Sequence, residues 1–128
     1  MPVLSHNPSA LFPQYQNYSH AMEVSSESRL LFISGLNGYE PDGTTMPDTF
    51  EDQARLIWEH IGAILRSADM GYDNIVSLRT YLAGPEFDEP NIRMRKEFLG
   101  DNQPASTVVC CTLLESKWKL EIEAIAAE

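Results

Sequence analysis

Three groups of side chains in this sequence stand where their types and spacing could do chemistry. Glu121 and Glu123 lie two apart in "KLEIEAIA". If that run is a strand, both carboxylates share a face with Lys119, and Leu120, Ile122 and Ala124 take the other. Such a face is either solvated or set at a seam between subunits. At a seam, partial burial favours the protonated form of a carboxylic acid and suits it to giving or taking a proton. Ser106 and Thr107 are adjacent hydroxyls in "NQPASTVV", a turn feeding a β-branched run. The simplest reading there is a structural corner. Arg79 stands in the middle of "NIVSLRTYLA". It has three readings: a surface residue, an ion-pair partner of Glu121 or Glu123, or an anion anchor in a cleft.

Other chemistries find no foothold. There is no phosphate-binding glycine loop and no dinucleotide fingerprint. His6, His20 and His60 are scattered, and no His or Cys spacing suggests zinc. His60 reads as a helix-surface residue. Cys110 and Cys111 are adjacent in a strand-like run, so their side chains point to opposite faces and a bridge between them is not expected. They read as packed strand cysteines in a reducing, cytoplasmic location. The first twenty residues lack a basic start followed by an apolar core, so no secretory signal is expected. No apolar run is long enough to span a bilayer.

The 128 residues are 43% hydrophobic, which suits one domain over residues 1–128 with a core of its own. Nine basic and nineteen acidic residues give a net charge of -10. That balance argues against nucleic acid and against an anionic membrane surface. It also means that an acidic ligand needs a local cationic anchor.

The elements that must position these residues are legible in outline. Residues 1–20 read as loop. "AMEV" and "RLLFISG" read as two strands joined by a short turn. Asp48 with Glu51 forms a capping-box pattern, and Ala54, Ile57, Trp58, Ile61, Ile64, Leu65 and Ala68 repeat at helical spacing up to a stop at Gly71. "NIVSLRTYLA" is a strand. A second helix runs from about Pro90 to Leu99, with Asp88 as cap, Gly100 as stop, and Phe87 and Ile92 spaced as a hydrophobic staple. "STVVCCTLL" and "KLEIEAIA" are the last strands. The order β-β-α-β-α-β-β predicts an α+β fold, a mixed sheet with two helices on one face. The final strands are apolar on both faces, which points to an oligomer.

Taken in order, "YSHAMEV", "LLFISG", "PDG", "FEDQARLIWEHIGAIL", "NIVSLRTYLA", "FDEPN", "PAST" and "LEIEAIA" resemble the Rid family, the reactive intermediate deaminases also called YjgF or L-PSP. The similarity runs from about Tyr18 to Ala126, and its most specific element is the ending E-I-E-A-I-A. The resemblance implies a chorismate-mutase-like fold and a homotrimer whose sheets line a central barrel, with clefts between subunits. It implies hydrolysis of enamines and imines, such as 2-aminoacrylate, to 2-keto acids and ammonia, with no metal or organic cofactor. By the same resemblance Glu121 positions water and protonates the leaving group, with the backbone near Val108 helping to hold that water. Tyr18, Ser34, Gly35, Asn91 and Thr107 match cleft positions. Leu36 departs from the glutamine often found there.

The main departure is Ser106. Active members carry an arginine after Pro-Ala, where it grips the substrate carboxylate as a bidentate fork that serine cannot copy. Losing it should cost on the order of ten- to a few hundred-fold in turnover efficiency. A Rid-like hydrolase with a non-standard substrate, or one held by Arg79, is therefore expected. The rival is a trimer that binds a small metabolite without chemistry. A ribonuclease or translation-inhibitor role, attached to the family by name, is opposed by the acidic balance.

Overall fold

The apolar stripe of Ala54, Ile57, Trp58, Ile61 and Leu65 forms the buried side of helix α1, Phe50–Ser67, in a computed structural model that describes residues 3–128. The start of α1 is one residue later than its capping pattern suggests. Thr49, not Asp48, is the N-cap, and its hydroxyl accepts the Asp52 N–H at 3.2 Å. The stop also differs. Asp69, not Gly71, takes the left-handed conformation, with φ 58°. Its N–H donates to Arg66 O at 3.1 Å and the Met70 N–H to Leu65 O at 2.9 Å, the paired bonds of a Schellman motif.

Strands β1 (Val3–His6), β2 (Ala21–Val24), β3 (Leu30–Leu36), β4 (Ile75–Leu82), β5 (Ala105–Cys110) and β6 (Leu120–Ala127) complete the fold with helix α2 (Asp88–Leu99). The larger sheet has the order β3-β6-β4-β5, with β4 and β5 parallel and the other pairs antiparallel. Helix α2 is the crossover between the parallel pair. Both helices contribute to the same core, where Trp58 of α1 stacks on Phe98 of α2 at 5.8 Å and Leu78, Leu82, Leu120 and Ile122 come from the sheet. The expected α+β class and mixed sheet are correct.

Four local expectations fail. Val3–His6 is a strand, not loop, and it pairs with β2 in a separate two-stranded ribbon, so β2 and β3 are not a paired hairpin. Helix α2 starts at Asp88 straight after a 3-10 turn over Pro85–Phe87. Phe87 is therefore the N-cap itself, without a side-chain cap, and it stacks on Phe50 at 4.9 Å rather than stapling Ile92. Strand β5 ends at Cys110, and both cysteines are exposed free thiols rather than packed. His60 is half-buried, its Nε2 2.6 Å from Tyr39 O, rather than free on the helix surface.

Residues alternate across the sheet as a period of two requires. Leu78, Thr80, Leu120, Ile122 and Ala124 face the helices and are buried. Ser77, Arg79, Tyr81, Glu121, Glu123 and Ile125 share the opposite face through the β4–β6 register. That face also carries large apolar groups left open by this chain, with Leu30 49%, Phe32 70% and Val109 43% exposed.

Candidate active site

Glu121 pairs across the strands with Tyr81 on the open face, and its carboxylate lies over β3 at Gly35. A Cβ built on Gly35 would stand 2.2 Å from Glu121 Oε2. Glycine at this position is therefore what lets the carboxylate rest there. Next to it, the Tyr81 hydroxyl donates to Glu123 Oε2 at 2.5 Å, and this bond, with burial second, raises the phenol's pKa. Ser34 is exposed on the same strand as Gly35. Ser34, Gly35 and Glu121 thus form one group, on β3 and β6.

A second group gathers at β5, the edge of the sheet. Parallel pairing sets Ser106 beside Leu78 and Thr107 beside Arg79. The two hydroxyls therefore point to opposite faces, Ser106 to the helix side and Thr107 to the open side. The turn before β5 is held by the N-terminal segment. The Ser19 hydroxyl donates to Gln103 O at 2.5 Å, the Ser19 N–H donates to Pro104 O at 3.1 Å, and Ser19 forms a parallel bridge with Ala105. These bonds fix Tyr18 between two cavities. One, of about 290 Å³, is lined by Phe12, Tyr18, His20, Arg79, Ser106 and Thr107. The other, of about 220 Å³, is lined by Tyr18, Ile92, Arg95, Ser106 and Val108, with Tyr15, Gln16 and Asp88 completing its wall.

The predicted residues are thus divided. Tyr18, Arg79, Ser106, Thr107 and Val108 come together, while Glu121 on β6 lies two strand spacings from β5, about 9–10 Å across the sheet, and Ser34 and Gly35 on β3 lie three, about 14 Å. Asn91 joins neither group. It is buried on the core side of α2, and its Nδ2 has no hydrogen-bond partner. Arg79 is exposed. It faces Glu123 across the register, yet no ion pair involving it forms among the described residues.

Two residues at the β5 cavities escaped the sequence. His20 packs edge-on against Tyr18 and Phe12, at 5.9 and 5.4 Å, with both ring nitrogens buried and unpartnered. Nothing in its spacing marks it. Arg95 did leave a signal. It follows Asn91 by four and precedes Leu99 by four, so helical periodicity puts it on the core-facing stripe.

Fold and site together describe an α+β chain whose polar residues are shared between an open sheet face and a strand-edge cavity. The chain belongs to the Endoribonuclease L-PSP family, whose model matches residues 9–128, in agreement with the Rid-family motifs of its sequence. It is 32% identical over 124 residues to the RutC family protein YjgH of Escherichia coli, covering 91% of this chain and 92% of that one. It is 29% identical over 123 residues to the 2-iminobutanoate/2-iminopropanoate deaminase of Mus musculus, covering 94% and 85%. A crystal structure of a Rid-family protein of unknown function, YyfB from Yersinia pestis, matches all of both chains with a TM-score of 0.88 at 24% identity, a likeness of fold. No helix among the described residues is long and apolar enough to cross a membrane.

Proposed function

We propose that this chain is a Rid-type hydrolase of enamines or imines and that its site is completed between copies of the chain in a trimer. The observation that carries the reading is the Glu121 carboxylate held over Gly35 on an otherwise open sheet face. A neighbouring copy laid against that face would bring its β5 edge, with Tyr18, Ser106, Thr107 and Val108, toward this Glu121. The exposed Leu30 and Phe32 supply apolar surface for such a contact. Asn91 then supports α2 from within rather than touching the ligand.

In this reaction water adds to the carbon of the C=N bond of a protonated imine. Glu121 accepts a proton from the attacking water and returns one to the nitrogen. The C–O bond forms, the C–N bond breaks as the remaining O–H proton passes to Glu121, and a carbonyl compound and ammonia leave, the ammonia taking up that proton as ammonium. The exposed Cys110 and Cys111 thiols suit a reducing compartment such as the cytoplasm. The mouse relative's name, an imino-acid deaminase, supports the reaction class.

The test is hydrolysis of 2-imino acids generated in situ by an amino acid oxidase, followed by semicarbazide trapping. Glu121→Gln should lower the rate by about 10²-fold or more, as removal of an acid–base group does, with an unchanged thermal midpoint. An undiminished rate would end the mechanism. Ser106 favours a second reading, binding of a small carbonyl or amine metabolite without turnover. Calorimetric binding of a ligand that the protein never converts would support that reading instead.

A further inference from the structure

Arg95 is 4% exposed, and among the described residues no carboxylate forms an ion pair with it. Its Nε–H and Nη2–H both donate to one neutral acceptor, Asn17 Oδ1, at 3.1 and 2.8 Å. A guanidinium offers five N–H donors and stays charged, so burying it without a counter-charge is costly. Burial accordingly lowers its pKa, with only partial opposition from the charge of Asp88. Arg95 is not sealed in the core, however. The residue lines the 220 Å³ cavity with Tyr18, Ser106 and Val108. Ser106 Oγ at that cavity is also buried and has no hydrogen-bond partner. A charged donor and an unpaired hydroxyl thus line one small space.

We propose that Arg95 is the anion anchor of this protein and that the cavity between α2 and β5 takes the carboxylate of a small monocarboxylic 2-oxo or 2-imino acid. The anchor comes from the helix because β5 no longer supplies one. An arginine at position 106 would put a second guanidinium into the space that Arg95 already lines, and like charges in so small a volume repel. Serine at 106 leaves room and adds a donor. Asp88, Ile92 and Arg95 stand at i, i+4 and i+7 on one side of α2, so the acidic residue lies about 10 Å along the helix from the basic one. Asp88 is exposed. It disfavours a second carboxylate reaching outward, so the cavity selects monocarboxylates over dicarboxylates. This inference extends the hydrolase reading, and its test does not depend on turnover.

The probe is 2-oxobutanoate, followed by calorimetry and by the side-chain N–H resonances of the arginines in the full-length protein. Addition should shift the Arg95 Nε–H resonance. Arg95→Met, which keeps the length and removes the charge, should weaken binding by about 10- to 100-fold. Binding of the neutral methyl ester should be the same in both proteins. If 2-oxobutanoate fails to bind the wild type, or binds Arg95→Met equally well, the anchor is not Arg95. A shift at Arg79 with none at Arg95 would overturn the assignment even if Arg95→Met does not fold. Arg95-dependent binding without any imine turnover would remove the hydrolase reading and leave the anchor. Turnover with binding indifferent to Arg95 would do the reverse.

Discussion

Gly35 and Glu121 are coupled by volume alone. In Gly35→Ala the new methyl would fall 2.2 Å from Glu121 Oε2, so the carboxylate has to swing away. The displaced atom ends a flexible side chain at a half-buried position, so stability should stay within about 0.5 kcal/mol of wild type. Imine hydrolysis should drop on the order of 10²-fold, because a misplaced catalytic group forfeits its alignment. Equal loss of activity and thermal midpoint would show that Gly35 serves the fold instead. At this scale the sequence was readable where a strict period applied. A strand fixes which residues share a face, and Glu121, Arg79 and Thr107 fall on the sides that alternation assigns. Arg95 was hidden because an arginine on a helix is ordinarily a surface residue. Its helical spacing with Asn91 and Leu99 was the only hint that it faced inward.

Helix α1 shows how far composition reaches and where it stops. Its apolar stripe was unmistakable, but its end was not, because Gly71 is the better left-handed residue and Asp69 does the task. Asp69 pays a steric cost at φ 58° that glycine would avoid. Asp69→Gly should therefore stabilise the protein by about 0.5–1 kcal/mol, after allowing for the greater freedom of glycine in the unfolded chain. Denaturant unfolding with an unchanged slope would measure it. A loss of stability would show that the aspartate side chain stabilises the turn by some other contact. Strand β1 was illegible for a different reason. Four residues between prolines carry no measurable period, and β1 exists only because β2 lies beside it.

Across the whole molecule, the class followed from element order, whereas the proposed assembly rests on family resemblance and on one exposed face. That face predicts its own test. Phe32→Glu places a charge where a 70% exposed phenylalanine stands in the single chain. If the face is the contact between copies, sedimentation should show the assembly falling to single chains, with hydrolysis lost alongside. A variant that assembles normally would move the contact elsewhere. The walls of the β5 cavities have a consequence for how the molecule is made. Ser19 meets Gln103 across 84 positions, and Asn17 meets Arg95 across 78. Asn17 and Ser19 must wait for residues some eighty positions later before the cavity exists, since closing so long a loop comes after local structure has formed. A small acid bound there can therefore hold only finished molecules, and nascent or prematurely ended chains gain nothing from it.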